Sequence, residues 1–174
     1  MITGSPKNMV IITKYRLEYN PQNDTYTVWA DEENVCPICG SEDMRLKGRR
    51  KRQVIVRDQE TQVLRIQRLK CGGCNKIHHE LPDLIVPYKR HCIQTIELIV
   101  NGDEEDTDCE ESTINRIKAW WKSIRLYVEG VTASLIVKHG ITFSENRKFA
   151  QIVRALANSH LWPGTRSVWE SYGK

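Results

Sequence analysis

At 174 residues and 20.2 kDa, with 40% apolar residues and a mean hydropathy of -0.51, the chain has room for one soluble domain or two small ones. That size excludes a polymerase or a large multidomain enzyme, and no run approaches the roughly 18 to 20 apolar residues that a bilayer span needs. The net charge of +4 conceals segments of opposite sign: residues 45–70 hold ten Lys and Arg against two Asp and Glu, and residues 101–111 hold seven acidic residues and no basic one.

Residues 112–174 return to ten basic residues against three acidic ones, so a polyanionic partner would meet particular faces rather than the whole surface. The plain alternative is that each charged run is a solvated face. The opening residues lack the charged, apolar and small-residue order of a signal peptide, and the expected location is the cytoplasm, without a membrane partner.

In chain order, residues 10–19 (VIITKYRLEY) and 25–30 (TYTVWA) are β-rich runs separated by the turn-rich spacer NPQND, which predicts a hairpin. Six cysteines follow, at 36, 39, 71, 74, 92 and 109. Cys36-Pro37-Ile38-Cys39 and Cys71-Gly72-Gly73-Cys74 form two C-x2-C pairs separated by 31 residues. Two intervening residues let a tight turn aim both thiolates at one ion about 2.3 Å away, so two such pairs complete a tetrahedral site for one structural Zn2+. Gly40, Gly72 and Gly73 suit backbone that must curl around sulfurs with unusual torsions. Disulfides are the competing reading, disfavoured in a reducing cytosol. His78 and His79 follow closely enough to replace a ligand or to support one.

Residues 53–57 (QVIVR), a polar turn at 58–60 and the alternating run 61–69 (TQVLRIQRL) predict a hairpin between the two pairs, the layout of a zinc ribbon. Alternation puts Leu64 and Ile66 on one side and Arg65, Gln67 and Leu69 on the other. So small a unit is marginal alone, and metal binding would supply most of its folding free energy, roughly 10 to 16 kcal/mol in zinc peptides. Cys92 and Cys109 have no C-x2-C partner and fit small buried residues, although His91 beside Cys92 raises a second metal site or a nucleophile and base pair.

Pro82 and Pro87 hold residues 81–90 extended as a linker. The spacing then predicts a helix over 91–100 ended by Asn101-Gly102, an acidic stretch over 103–111, and a second helix capped by Ser112 with Ile114, Ile117, Trp121, Ile124 and Val128 on its buried side. Residues 131–139 lean towards helix, and a third helix begins at Ser144 with Phe149, Ile152, Val153 and Leu156 as its stripe. The tail from Leu161 carries two tryptophans and a tyrosine, suited to docking on the helices or to meeting a partner. The fold class is therefore α+β: an N-terminal β-hairpin with a four-cysteine zinc ribbon over 1–80, the linker 81–90, and a small helical, helix-turn-helix-like region over 91–174.

The runs CPICGS (36–41), GRRKRQVIVRD (48–58) and LRIQRLKCGGCNKIHHELPDLIVPYKRH (64–91) resemble the zinc-binding N-terminal region of bacterial insertion-sequence transposases, and more closely small stand-alone bacterial proteins of unknown function that share it. The likeness spans 36 to 125 and includes ESTINRI (111–117), which is similar to the start of a helix-turn-helix recognition helix. In such transposases the ribbon and following helices help bind terminal DNA while a separate DDE domain cuts it. The acidic residues 102–108 depart from that pattern, being a poor helix and a repellent neighbour for phosphate.

The resemblance and the charge pattern together imply a non-catalytic nucleic-acid-binding protein, with duplex DNA as the expected partner. Arg49, Arg50, Lys51, Arg52, Arg65, Arg68 and Lys70 would contact phosphates, and Arg116, Lys118 and Lys122 would lie near a groove. The competing function is a zinc-stabilised protein-interaction or self-association module. An enzyme is disfavoured, because the sequence holds no P-loop, H-E-x-x-H, G-x-S-x-G or zinc-deaminase pattern.

Overall fold

The computed structural model describes residues 8–164. Strands β1 (Met9–Ile12), β2 (Tyr15–Asn20), β3 (Thr25–Ala30), β4 (Met44–Ile55), β5 (Thr61–Cys71) and β6 (Ile77–Pro82) precede helices α1 (Ile93–Asn101), α2 (Glu111–His139) and α3 (Lys148–Asn158). The class is α+β, as the pattern of elements predicts.

The six strands form one curled sheet organised by β5. One edge of β5 pairs along its whole length with antiparallel β4. The other edge is shared: β3 runs parallel to it at Leu64 and Arg65, and β6 runs antiparallel to it from Arg68 to Lys70. Beyond these, β1 pairs with β6 and β2 with β3, so that β1 and β2 follow one another along the outer edge.

The run 10–19 is thus two strands rather than one. The Glu32 carboxylate accepts the N–H groups of Thr13 and of Lys14, the latter at 3.0 Å, withdrawing them from any ladder and breaking the strand there. The predicted hairpin survives as β2 and β3. It joins the ribbon edge-on, as further strands of the same sheet.

The ribbon's first strand begins at Met44, well before residue 53, with a bulge between Leu46 and Gly48. Arg49, Arg50, Lys51 and Arg52 therefore lie inside β4 rather than ahead of a hairpin. A strand so rich in cations forms because β5 supplies the β-branched partner and the helices cover only one of its faces.

That covered face carries Val28, Val54, Leu64 and Ile66, all essentially inaccessible, packed with Ile11, Ile85, Ile96, Ile99, Ile117 and Val153 in a single cluster. Burying each such aliphatic side chain contributes about 1.5 to 3 kcal/mol. The cluster joins residues from both sides of the stretch 81–90, within which Leu81 and Pro82 end β6 and Ile85 bridges to Cys92. A satellite cluster of Ile124, Val128, Leu135 and Leu156 ties α2 to α3.

Helix α1 ends on Gly102 in the left-handed conformation, as expected of Asn-Gly. The second helix starts at Glu111, so Ser112 lies within its first turn and does not cap it. The N-cap is Glu110, with no side-chain hydrogen bond. Residues 131–139 continue this helix, and a 3-10 turn at Glu145–Arg147 precedes α3. Between α1 and α2 run residues 102–110 with a 3-10 turn at Glu104–Asp106, in place of the three- or four-residue turn of a helix-turn-helix. Five acidic side chains among residues 103–108 disfavour a tighter packed turn there.

Helix α3 is fastened to the edge of β1. The Asn158 side chain accepts the Ile11 N–H at 2.7 Å and donates to the Ile11 carbonyl at 3.0 Å, taking the place of a neighbouring strand. Arg154 adds an ion pair to Glu32 at 3.0 Å. Trp162 packs near Trp120, with ring centroids 6.5 Å apart. Trp169 and Tyr172 of the aromatic tail lie outside the described residues. Among the described residues no helix is long and apolar enough to cross a membrane.

Candidate metal centre and cationic surface

The two C-x2-C turns fold identically. In the first, Gly40 N–H donates to the Cys36 carbonyl and Cys36 N–H to the Ser41 carbonyl, both at 2.9 Å. In the second, Asn75 N–H donates to the Cys71 carbonyl at 3.0 Å and Cys71 N–H to the Lys76 carbonyl at 2.9 Å. Gly40 and Asn75 both take the left-handed conformation, at φ 72° and 61°, that closes each turn. Gly72 and Gly73 have no such torsion, contrary to expectation. A Cβ at Gly72 would sit 1.9 Å from Oδ2 of the exposed Asp43, whose side chain would have to swing aside.

These turns place the four sulfurs of Cys36, Cys39, Cys71 and Cys74 within 4.8 Å of one another. Cys36 and Cys74 are 3.6 Å apart, and Cys39 and Cys71 are 3.5 Å apart. Sulfurs about 2.3 Å from a central ion occupy a tetrahedron with edges of about 3.8 Å, so this donor set fits one metal ion. Burial pushes the Cys36 thiol up to about 12, while the Cys74 N–H, 3.5 Å from Cys71 Sγ, is the main reason the Cys71 thiol is drawn down to about 6.

His78 lies beside this cluster, buried, with Nε2 3.3 Å from Cys36 Sγ. It touches one sulfur from outside the set of four. His79, next along β6, instead lines a small cavity with Met9, Arg50 and Arg52. Cys92 is buried with Sγ 3.3 Å from Thr95 Oγ1. The thiol near His91 is that of Cys109, at 3.9 Å, not its chain neighbour Cys92. Among the described residues, the four cysteines are the one group placed to hold a metal.

The cationic residues divide by strand register. Lys51 stands opposite Arg65 and Arg49 opposite Gln67, sharing the face turned away from the core, where Arg49 lies 4.4 Å over the Trp29 ring. Arg50 stands opposite Ile66 and Arg52 opposite Leu64, and both line a groove along β4 with Lys51 and Arg90. Arg68 lies opposite Gly48, and Lys70 opposite Arg45 at the metal end. On α2, Lys118 is ion-paired with Glu104 of the acidic stretch, Arg116 donates to Thr113 at 2.9 Å, and Lys122 lines a separate groove with Arg125 and Glu129. Two members of this surface escape the sequence reading, Trp29 and Arg90. The basic run Lys89-Arg90-His91 is the signal that could have drawn attention to the second.

The site is thus a pair of matched cysteine turns at one end of a curled sheet, with a cationic strand running away from it. Residues 36–117 match a family model described as a domain of unknown function, DUF6431. The match takes in both cysteine turns, β4 to β6, α1 and the first turns of α2. No curated protein and no solved structure matches the chain.

Proposed function

We propose that this protein is a non-catalytic, zinc-stabilised nucleic-acid-binding protein whose partner is duplex DNA. The observation that carries the reading is the unpaired charge of the ribbon hairpin. Arg50, Lys51, Arg52, Arg65, Arg68 and Lys70 form no ion pair among the described residues, although Arg45 at the metal end of β4 pairs with Asp43 and Arg49 lies within electrostatic reach of Glu80, whereas Arg16, Arg125, Arg147 and Arg154 elsewhere each have an acidic partner. Cations left unmatched on a rigid strand pair suit a polyanion whose phosphates supply the missing charge and release condensed counterions.

Zinc is the ion that suits four thiolates in a closed tetrahedron. The set leaves no open position for water or substrate, which makes its role structural. A reducing cytoplasm keeps such thiols available to the metal. Arg116 and Lys122 extend the contact onto α2, and the likeness to transposase DNA-recognition regions points the same way.

The test is fluorescence anisotropy of labelled duplex and single-stranded DNA and of RNA against zinc-loaded protein across ionic strength. Binding that weakens steeply with salt, by about 0.9 in log K per log salt for each phosphate neutralised on duplex, supports the reading. Negligible binding to every nucleic acid at low salt rejects it.

One observation favours the alternative, a protein-interaction module. Leu126 and Val137, on the outer side of α2, are 83% and 87% exposed. A partner seated there would bind with little salt dependence, and Leu126→Lys with Val137→Lys would abolish that binding.

A further inference from the structure

We infer that the groove along the edge of β4, lined by Arg50, Lys51, Arg52 and Arg90, is a discrete subsite for phosphates of the nucleic-acid backbone, with Arg90 its principal unassigned contact. The inference rests on the nucleic-acid reading above and narrows it to one place.

The groove encloses about 480 Å³ and is completed by Asn23, Thr25, Gln53 and Val63. Four cationic residues and no carboxylate line it, with Lys51 on the opposite face of β4 from Arg50 and Arg52. Like charges do not gather by themselves, and here backbone bonds hold them together. The Ile55 N–H donates to the Arg90 carbonyl at 2.7 Å, and Cys92 N–H returns to the Ile55 carbonyl at 2.8 Å, so residues 90–92 lie against the end of β4. Arg52 Nη2 donates to the Lys89 carbonyl at 2.7 Å and ties the same loop one turn further on.

The loop is also set to divide its charges. Tyr88 takes φ 65°, a left-handed conformation that a non-glycine residue keeps only where the surroundings impose it. After it, Lys89 reaches the Trp120 ring, 4.0 Å from its centroid, while Arg90 lines the groove. Arg52 feels the arrangement: burial, then Arg50 and Arg90, weaken its hold on its proton, and its Nε is buried without an acceptor. An oxyanion in the groove offsets that repulsion.

The neighbouring groove is different. It shares Arg90 and includes Arg116, but Asp108 and Glu110 of the acidic stretch also line it. Those carboxylates weaken phosphate binding in that groove relative to the one along β4.

The experiment measures duplex affinity of the zinc-loaded full chain over a salt series for wild type, Arg50→Gln, Arg90→Gln, the double variant and Lys138→Gln, a control at the far end of α2. Metal content and thermal melting verify that each variant is folded. Each groove arginine removed should lower the salt slope by about 0.9, and with it affinity at about 0.1 M salt roughly eightfold, the double variant losing about twice that slope, while Lys138→Gln matches wild type. If wild type binds duplex and the folded double variant keeps its slope, the groove is not the subsite although the nucleic-acid reading stands. If wild type binds no nucleic acid, both fail together.

Discussion

The imidazole Nε2 of His78 lies 3.3 Å from Cys36 Sγ, in a position with no solvent exposure. His78 reaches it from β6, while Cys36 comes from the loop between β3 and β4, 42 residues earlier. In the tautomer with its proton on Nε2, His78 would donate to a Cys36 thiolate, stabilising its charge and fixing its direction as groups behind a metal ligand do. His78→Phe, which keeps the ring volume but removes the donor, should weaken metal affinity about 10- to 100-fold in a chelator competition. Unchanged affinity in a folded variant would show that the contact is only packing.

Removing the ion should have a larger effect. At the end of the β4 and β5 hairpin Leu46 is exposed while its partner Leu69 is buried, and the two cysteine turns close that end. Elemental analysis is expected to find one zinc per chain. Chelation, or Cys39→Ser, should cost several kcal/mol and speed amide exchange at that end before the helices open. A metal-free wild type with the same melting temperature as the loaded protein contradicts this.

Asn158 gives a test far from the metal. Its side chain satisfies both the N–H and the carbonyl of Ile11, a fully buried residue of an edge strand. Asn158→Ala leaves the Ile11 N–H without its partner and the carbonyl with only Arg154 Nε, at 3.3 Å, and should destabilise the protein by about 1 to 3 kcal/mol, read from urea denaturation midpoints. A loss below about 0.5 kcal/mol means that water replaces the amide.

Glu80 carries a pH dependence. Burial raises its carboxyl above the usual value, and nearby Glu32 adds to this, against opposing contributions from Asn34 and Arg49. Its Oε1 is buried without a partner. A carboxyl whose folded value is raised contributes stability that is fully present below its unfolded value, about 4.3, and is lost as pH rises through the folded one. The wild type should therefore gain stability relative to Glu80→Gln as pH falls from neutral towards the unfolded value. Parallel stability profiles for the two proteins would remove Glu80 from the account.

The acidic stretch can be examined in the same way. Glu104 holds the ammonium of Lys118, and both are partly exposed. Glu104→Gln should free that charge and raise duplex affinity at low salt by a few-fold, an effect that vanishes at high salt because exposed pairs are screened. No change at any salt would mean that Lys118 lies off the nucleic-acid path.

The sequence by itself determined what neighbours in the chain can encode. The two C-x2-C turns are legible because two residues between thiols dictate a tight turn. The alternation that buries Leu64 and Ile66 follows from the period of a strand. Asn101-Gly102 ends α1 because glycine accepts the left-handed torsion there.

Only the tertiary structure decided the rest. The break at Thr13 and Lys14 depends on a carboxylate eighteen and nineteen residues away, and the shared edge of β5 depends on two strands from opposite sides of it in the chain. Arg90 joins the β4 cations through backbone bonds across the sheet edge, and His78 meets Cys36 through the pairing of β6 with β5. Such contacts are set by which strands find each other and by which face the helices cover. No local period or spacing records that choice.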